Sequence, residues 1–184
     1  MQIAKQIDGI IRPASSAHIA TLNGKSFLLL DVGLNVDCKP DVLYQYGVIG
    51  NVYAQNVMKL DNPRIALLNI GEEKEKGNLA TKAAYELMEQ GGQFNFVGNV
   101  ESKSIFPGEE ADVVVCDGFV GNTVLKQAEG FYEIAKAQGV NKNYITRLNY
   151  EAVGGTAVLG RNGTVMAGHG CSSPLAIKTL VLLT

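Results

Sequence analysis

Groups of glycine and polar residues follow five short apolar runs of this chain, and they hold most of the side chains that could do chemistry. The polar groups begin at Asp31, Asn69, Gly98, Asp117 and His169. The apolar runs, each a candidate strand, are 27–30, 65–68, 94–97, 113–116 and 165–167. In an open α/β sheet, ligands bind outside the carboxyl ends of the strands. The sequence therefore predicts a functional edge of a sheet at which these polar groups meet.

The helix starts near this edge predict an anion site. Gly77-Asn78, Gly121-Asn122 and Ser172-Ser173-Pro174 each precede a candidate helix. A helix N-terminus offers free backbone N–H groups and a partial positive charge, and glycine lets a ligand approach the backbone closely. Any one of these segments is also explained as a helix cap or a tight turn. Three at one edge, with Lys39 nearby, favour binding of phosphate or a carboxylate.

The motifs of better-known sites are absent from the sequence. There is no G-x-x-x-x-G-K-[ST] loop, no G-x-G-x-x-G segment after a strand and no G-x-S-x-G nucleophile elbow. The carboxylate pairs Asp31/Asp37 and Glu72/Glu73 match the spacing of no known metal loop, so hydrogen bonds to neighbouring backbone are the favoured interpretation. We therefore predict neither a metal site nor a bound cofactor.

Composition indicates an ordinary globular domain. The chain has 184 residues, 46% of them hydrophobic, which is enough to bury a substantial core. Its net charge of -2 does not suggest a nucleic-acid-binding protein, which normally carries a basic stripe. No apolar stretch reaches the roughly 18 residues of a membrane span, and no signal peptide is recognisable. The three widely separated cysteines, Cys38, Cys116 and Cys171, fit reduced thiols, so we expect a cytoplasmic protein.

Alternating strand and helix patterns must position the polar groups. A hairpin is predicted over 18–30 around the Asn23-Gly24 turn. Helices are predicted over 40–60, 79–90 and 123–138 and from Pro174 onward. Asn78 and Asn122 are placed to cap the second and third of these helices. The expected fold class is α/β, with a mostly parallel sheet between layers of helices.

The start of the chain predicts a helix over 1–9 that has Ile3, Ile7 and Ile10 on one face. No capping residue precedes it, although a helix normally begins with one. We therefore expect that a segment upstream of this helix is missing from the chain.

Several of these segments together carry a specific resemblance. They are 28–40, 66–73, 76–78, 96–101, 111–122, the Gly154-Gly155 and His169-Gly170 pairs, and 176–178. In this order they resemble the bacterial phosphate acyltransferases of phospholipid synthesis, over nearly the whole chain from Ile11 onward. The resemblance implies transfer of a fatty acyl group from acyl carrier protein to inorganic phosphate, which gives acyl phosphate. It also implies an isopropylmalate-dehydrogenase-like fold, shared with phosphate acetyltransferases, and a homodimer.

The chain departs from the family pattern in two places. Similar proteins have an upstream α/β portion, so residues 1–184 are expected to be the C-terminal portion of a single domain, with roughly the first two fifths absent. Relatives also have a longer helical segment before the paired glycines, which contacts the membrane. Here 139–153 is short, with Lys142 and Arg147 as its basic residues, which argues against membrane contact through this segment. Peripheral membrane association by other means is left open.

The chemistry of acyl transfer to phosphate suggests roles for the polar groups. A thioester has a good leaving group, because thiols ionise near pH 8.5, so the main needs are positioning and donors for the phosphate and the oxyanion. We predict Lys39 as the phosphate cation, Asn69, Asn99 and Asn122 as orienting or oxyanion groups, and Asp117 as an orienting acceptor. The predicted phosphate- or substrate-binding residues are Asp31, Asn35, Asp37, Gly71, Glu72, Gly77, Asn78, Gly118, Gly121 and His169.

Other interpretations of the same residues stay open. Lys39 is also explained as a surface lysine, Asn69 and Asn99 as partners of loop backbone, and His169 as a structural residue. For the whole chain there are two alternatives: a non-catalytic fragment or dimerisation unit, and a short-chain phosphate acetyl- or butyryltransferase. We expect the isolated chain to have little or no activity, because half of a cleft cannot hold both substrates.

Overall fold

Strands and helices alternate along the chain in a computed structural model that describes residues 4–140, 143–149, 155–168 and 172–182. Within these residues the strands are β1 (Ala14–Ala20), β2 (Ser26–Leu30), β3 (Arg64–Asn69), β4 (Asn95–Glu101), β5 (Val113–Val115), β6 (Thr156–Leu159) and β7 (Met166–Ala167). The helices are α1 (Pro40–Asn56), α2 (Leu79–Gly91), α3 (Ser102–Ile105), α4 (Gly118–Ala137), α5 (Asn143–Arg147) and α6 (Pro174–Leu182). The predicted α/β class is confirmed.

The described strands form one sheet in the order β4-β3-β5-β2-β1-β6-β7. Strands β4, β3, β5 and β2 are parallel to their neighbours. β1 is antiparallel to both β2 and β6, so β6 points the same way as β2, whereas β7 is reversed again. Five strands thus share one direction, which confirms a mostly parallel sheet. The predicted strand over 165–167 corresponds to β7, which is reversed, so the prediction that all five polar groups follow strands at the same edge is wrong for this strand. We call the side where β2, β3, β4 and β5 end the carboxyl edge.

The alternating side chains of the strands build two cores, one on each face of the sheet. Leu28 and Leu30 point to one face, where helices α1 and α2 contribute Tyr46 and Met88. Successive side chains of a strand point to opposite faces, so Leu29 belongs to the other core. Helices α3 and α4 cover this second core with Ile105 and Val124. The prediction of a sheet covered on both faces is therefore confirmed.

Several local predictions hold. β1 and β2 form the predicted hairpin, with Ala20 opposite Ser26 and Gly24 at a positive φ of 87° in the turn. Helix α2 has the predicted Asn78 cap, whose side chain accepts from the Thr81 amide. Its left-handed terminator is Gly92, one residue later than expected. Helix α6 begins at Pro174 as predicted.

Helix α1 is continuous through its two glycines and ends at Asn56, four residues before the predicted end. A Cβ atom at Gly47 would lie 2.6 Å from the ring of Phe94, and one at Gly50 would lie 2.6 Å from Val113. The glycines therefore let the helix pack closely against its neighbours, a reason that lies in the tertiary structure and not in the local sequence.

The structure corrects three predicted elements. The described part of 1–9 is not helical: the Ile7 amide donates to the carbonyl of Gly160, and Gln6 forms an antiparallel bridge with Arg161. Strand β4 continues through Gly98 to Glu101, because β3 offers it partners along its whole length. Helix α4 begins at Gly118 and not at 123. Among the described helices, none has the length and apolar character that a membrane span requires.

Candidate functional site

The loop that follows β2 is organised around the carboxylate of Asp31. This side chain is fully buried and accepts hydrogen bonds from the backbone amides of Ser15 (2.9 Å), Leu34 (3.2 Å) and Asn35 (2.6 Å). It also accepts from the Ser15 hydroxyl and from the side chain of Asn35. Asp31 therefore shapes the loop, as its hydrogen-bonding interpretation predicted, and a ligand cannot reach it without rearrangement.

The rest of this loop carries two more residues predicted to bind substrate. The Asn35 amide donates to the carbonyl of Pro13 at 2.7 Å, which fixes the loop to the start of β1. Asp37 is exposed, and its backbone carbonyl accepts from the Arg12 guanidinium at 3.1 Å. Arg12 thus supports the loop through the main chain. The side chain of Asp37 is exposed to solvent, whereas its backbone carbonyl is engaged by Arg12.

Lys39 precedes helix α1 at the carboxyl edge. Its backbone is extended and its side chain is exposed, with no ion pair to any residue in the described part of the chain. A free ammonium group beside the N-terminus of a helix adds a full charge to the partial positive charge of that terminus. This placement fits a phosphate-binding cation and is equally compatible with a surface lysine.

Helix α4 starts five residues earlier than predicted, which changes the role of two residues. Asp117 is the N-cap, and its carboxylate accepts from the Val120 amide at 2.8 Å. The prediction that Asn122 caps this helix is therefore wrong. Asp and Asn cap about equally well, so the local sequence allows either start. The earlier start is selected by contacts between the first turn of α4 and the loop after β2.

Two glycines make these contacts possible. The Gly118 amide donates to the carbonyl of Asn35 at 2.7 Å. A Cβ atom at Gly121 would lie 1.8 Å from the carbonyl oxygen of Asp31, which no side chain could tolerate. Both glycines were predicted to contact phosphate. In the structure they hold helix and loop together, and the Gly118 N–H group is already bonded.

The amide groups of Asn69 and Asn99 bind the neighbouring loop. The Asn69 nitrogen donates to the side-chain oxygen of Asn99 (3.1 Å) and to the carbonyl of Lys76 (3.0 Å), so both of its hydrogens are engaged. The Asn99 nitrogen donates to the carbonyl of Glu73 at 2.9 Å. These bonds support the loop-backbone interpretation of both asparagines over the oxyanion role.

The loop between β3 and α2 needs its glycines for the same bonds. Gly77 has a φ of 98°, and a Cβ atom there would lie 2.5 Å from the side-chain oxygen of Asn69. Gly71 is buried against the side chains of Glu73 and Lys76. Glu72 is exposed. The glycines of this loop are thus explained by packing, which leaves the N-terminus of α2 at Asn78 as the remaining candidate for an anion site in this loop.

A cleft of about 860 Å³ lies at the carboxyl edge, and we call it the β3–β5 cleft. Its lining residues come from the ends of β3 and β4 and the starts of α2 and α4. They are Leu43, Leu68, Asn69, Ile70, Gly77, Asn78, Thr81, Glu101, Ser102, Lys103, Cys116, Asp117, Phe119, Val120, Thr123 and Val124. The structure therefore brings Asn69, Gly77, Asn78 and Asp117 together, as the sequence predicted.

Asn122 lines a different space, which we call the α4–α6 cavity. This cavity has a volume of about 320 Å³ and lies between β1, α4, α5, the β6–β7 hairpin and α6. The side chain of Asn122 is exposed and has no hydrogen-bond partner among the described residues. It packs beside Gly33, where a Cβ atom would lie 3.6 Å from the Asn122 Cβ atom. Ser172 lines the same cavity, whereas the predicted His169 lies outside the described residues.

The two described cysteines are unsuited to nucleophilic chemistry. Burial raises the pKa of the Cys116 thiol well above its ordinary value. Burial also raises the pKa of Cys38, to about 11. Because the thiolate is the reactive form, both groups stay protonated near neutral pH. No group of three or more His, Cys, Asp or Glu residues suited to a metal ion occurs in the described ranges.

Residues 1–182 match the sequence model of a family described as fatty acid synthesis protein. The chain belongs to this family. Two of its relatives are phosphate acyltransferases of Staphylococcus aureus. The protein of strain bovine RF122 / ET3-1 is 40% identical over 198 residues, and that of strain MRSA252 is 41% identical over 201 residues. Each alignment covers 97% of this chain and 60% of the relative.

These alignments also describe what the chain lacks. It spans about 60% of the length of the relatives that it matches. The matched region of 198 residues exceeds the 184 residues of this chain, so the relative carries residues within that region that have no counterpart here.

Solved structures confirm the prediction that the fold is shared with phosphate acetyltransferases. A phosphotransacetylase from Streptococcus pyogenes has a TM-score of 0.63 at 18% identity and covers 99% of this chain and 56% of its own. The EutD phosphotransacetylase from Staphylococcus aureus gives 0.62 at 18% identity, with coverage of 95% and 54%. At such low identity the likeness establishes the fold alone.

Sequence reasoning missed the α4–α6 cavity and the true start of α4. The second had a usable signal, because an Asp directly after a strand and before a run of apolar residues is a standard N-cap pattern. The cavity had no such signal in the sequence, because its walls come from parts of the chain that are more than 150 residues apart.

Proposed function

We propose that this chain is part of a phosphate acyltransferase that moves a fatty acyl group from acyl carrier protein to inorganic phosphate. The observation that carries the proposal is the 40% identity, over 97% of the chain, to proteins named phosphate acyltransferase. In the reaction a phosphate oxygen attacks the thioester carbon, the C–S bond breaks, and the thiolate of the carrier takes up a proton. The products are acyl phosphate and the free thiol of the carrier.

In this proposal Lys39 and Asn122 are the principal catalytic groups. Phosphate needs cationic and N–H donors, and the oxyanion on the carbonyl needs a further donor. The exposed ammonium of Lys39, beside the N-terminus of α1, can bind phosphate, and the N-terminus of α2 at Asn78 offers further N–H donors. The Asn122 amide, which has no partner within the described residues, can donate to the oxyanion. Asn69 and Asn99 take the supporting role of holding the loop between β3 and α2.

Asp117 fits an orienting role. One oxygen of its carboxylate caps α4, and a carboxylate has further lone pairs on its second oxygen. That oxygen can accept the proton of monohydrogen phosphate or hold a donor in place. A direct attack of phosphate on the thioester is favoured over an acyl-enzyme intermediate on Cys38 or Cys116, the two described cysteines, because burial raises the pKa values of both thiols.

The proposal extends to partners and location, which rest on family resemblance alone. We infer a homodimer that works in the cytoplasm, with acyl carrier protein and phosphate as substrates. We also infer that any contact with the membrane is peripheral. Analytical ultracentrifugation gives the mass of the assembly, and a monomer at micromolar concentration would remove the dimer from the proposal.

A short-chain phosphate acetyl- or butyryltransferase is the second candidate, because the solved structures of this fold include phosphotransacetylases. Their identity of 18% is far below the 40% of the phosphate acyltransferases, so the long-chain function comes first. The third candidate is a non-catalytic fragment, which is compatible with a chain that spans about 60% of the length of its relatives.

One assay distinguishes these candidates. The release of free thiol is followed with palmitoyl-acyl carrier protein or acetyl-CoA as donor, with phosphate or sulfate as acceptor, and with the Staphylococcus aureus relative as positive control. Phosphate-dependent release from the long-chain donor supports the proposal. Preference for acetyl-CoA would favour the second candidate. If the relative is active and this chain releases no thiol, the result would favour the third candidate, in which the isolated chain is not catalytic.

A further inference from the structure

Apolar residues form the larger part of the lining of the α4–α6 cavity, and several of them are small. Ala17 and Ala20 of β1, Ala128 of α4 and Ala176 of α6 line it, and each of these four is at most 5% exposed. Protein interiors are close-packed, and voids larger than a water molecule are few because unfilled space costs stability. A cavity of about 320 Å³ is of the size that binding sites for small ligands have. Its polar lining residues include His18, Asn122, Thr156, Ser172 and three charged side chains.

The polar groups of the cavity lie at its two ends. Asn122 is at the carboxyl-edge end, and Glu129 lies two turns farther along α4, about 10 Å away. At that far end the Lys126 ammonium pairs with the Glu129 carboxylate at 2.7 Å. The Arg147 guanidinium donates to the carbonyl of Lys25 at 2.8 Å. The charged groups at the far end thus have partners, whereas the Asn122 side chain has none among the described residues.

We propose that the α4–α6 cavity binds the acyl chain of the thioester substrate, with the carbonyl group at Asn122. This inference rests on the proposed function, because it places a part of that substrate. Hydrocarbon in the cavity would be buried against Leu125, Ala128 and Ala176, and each buried methylene contributes about 0.8 kcal/mol. The carbonyl oxygen would then lie where the Asn122 amide can donate to it.

The β3–β5 cleft is the larger space, with a volume of about 860 Å³, and ionisable side chains line both sites. In the cleft, Phe119 is 67% exposed, whereas Ala17, Ala20, Ala128 and Ala176 of the α4–α6 cavity are at most 5% exposed. A hydrocarbon chain beside Phe119 would keep one side in water, so we place the chain in the smaller cavity.

Ala128 is the residue that should limit chain length. It lies six residues along α4 from Asn122, about 9 Å deeper in the cavity. A leucine there would fill the space that the distal part of a long chain needs and would leave the space next to Asn122 unchanged. We therefore expect Ala128→Leu to discriminate by chain length and not to weaken all ligands equally.

The test measures binding without turnover. The probes are non-hydrolysable pantetheine thioethers with a hexadecyl or a butyl chain, titrated by calorimetry into the full chain. For Ala128→Leu we expect the hexadecyl probe to bind at least about 10-fold more weakly and the butyl probe to change by less than about 3-fold. Ala137→Leu, an exposed substitution on the same helix outside the cavity, is the matched control and should change neither probe.

Three outcomes would overturn the inference. They are equal weakening of both probes by Ala128→Leu in a protein with unchanged circular dichroism, no effect of this substitution on either probe, and a selective loss of hexadecyl binding in Phe119→Ala alone. The last would place the chain in the β3–β5 cleft. If Ala128→Leu does not fold, Ala128→Val makes a smaller change at the same depth of the cavity, and we expect it to weaken the hexadecyl probe more than the butyl probe.

The inference and the proposed function fail in different ways. If the chain extended by the upstream portion of its relatives turns over no acyl donor, but Ala128→Leu selectively weakens the hexadecyl probe, the cavity binds the acyl chain and the proposed reaction is wrong. If long-chain transfer occurs and Ala128→Leu lowers kcat/KM equally for long and short donors, the reaction stands and the placement of the chain is wrong.

Discussion

The two edges of the parallel part of the sheet treat their polar side chains differently. At the amino edge, Arg64 begins β3 and Asp112 precedes β5. The guanidinium donates to both carboxylate oxygens, at 3.0 and 3.1 Å, and the Arg64 backbone amide donates as well, at 2.9 Å. At the carboxyl edge, the side chains of Lys39 and Asn122 have neither an ion pair nor a hydrogen bond within the described residues. The Arg64–Asp112 pair of the amino edge is engaged within the fold, whereas the carboxyl edge combines engaged side chains such as Asn69 with these two available ones.

This difference teaches more than residue type does. Polar residues at the end of a strand are found at both edges, so their presence alone does not indicate a site. A side chain whose donors and acceptors are engaged within the fold stabilises structure, whereas one with available groups can bind a ligand. By this criterion Asn69 and Asn99, although they lie at the carboxyl edge, resemble Arg64 and Asp112, because their side chains are engaged in hydrogen bonds within the fold. The predictions below separate the two kinds of residue by asking whether a substitution changes function or stability.

The largest effect is expected for Asn122→Asp. The substitution replaces an available donor by a negative charge next to an anion, and loss of one oxyanion donor lowers kcat by about 10²–10³ in a well-studied case. We expect kcat to fall by about this factor in an active enzyme, which is the chain extended by the upstream portion of its relatives. The melting temperature should stay unchanged, because the Asn122 side chain has no partner among the described residues to lose. Gln127→Glu, exposed on the same helix, controls for the added charge. Near-normal kcat would remove Asn122 from the proposed chemistry.

Lys39→Ala should weaken phosphate binding. A hydrogen bond to a charged group contributes about 1.5–3 kcal/mol, so the dissociation constant for phosphate should rise by about 10- to 100-fold. Ligand binding raises the melting temperature by mass action, and thermal melts in rising phosphate at constant ionic strength report this change. Lys59→Ala is the matched control, because Lys59 is an exposed lysine beyond the other end of α1. An equal upward shift with chloride, or the same phosphate shift in both variants, would make Lys39 a surface residue.

Local signals predicted what local forces decide. The Asn78 cap, the Asn23-Gly24 turn and Pro174 at the start of α6 were all predictable, because each depends on residues within one turn. The start of α4 was not, because Gly118 and Gly121 dock on a loop more than 80 residues away in sequence. The helix over 1–9 failed for the same reason: the Ile7 amide finds its partner at Gly160. Which candidate site residues are available for a ligand follows from such distant contacts, so residue spacing could nominate Asn69 and Asn122 alike.

Asn69→Ala should affect stability more than turnover. The substitution removes hydrogen bonds to Asn99 and to the carbonyl of Lys76, so we expect the free energy of unfolding to fall by about 1–2 kcal/mol. Urea denaturation measures this loss. Turnover should fall much less than in Asn122→Asp, since the amide of Asn69 has no hydrogen left for a substrate. A 100-fold loss of kcat at unchanged stability would mean that Asn69 acts on the substrate and that a hydrogen-bonded asparagine can still be catalytic.

The smallest effect is expected at the amino edge, where pH tests the Arg64–Asp112 pair. Burial raises the pKa of Asp112, but hydrogen bonds from Arg64 outweigh it and hold this pKa below its ordinary value. A carboxylate with a lowered pKa in the folded state contributes stability above its unfolded pKa of about 3.9, and this contribution is lost as the pH falls through the folded value.

The pair is partly exposed, with side-chain exposures of 36% and 25%, so the contribution should be about 1 kcal/mol or less. Urea denaturation between pH 6 and pH 3 should show this extra acid dependence in the wild-type chain and not in Asp112→Asn. Asp61→Asn, at an exposed position, should retain it. Acyl transfer by Asp112→Asn should be normal at neutral pH, because the bonded groups of this edge face no substrate. If Asp112→Asn lost acyl transfer while its stability stayed unchanged, the distinction between a structural amino edge and a ligand-binding carboxyl edge would be wrong.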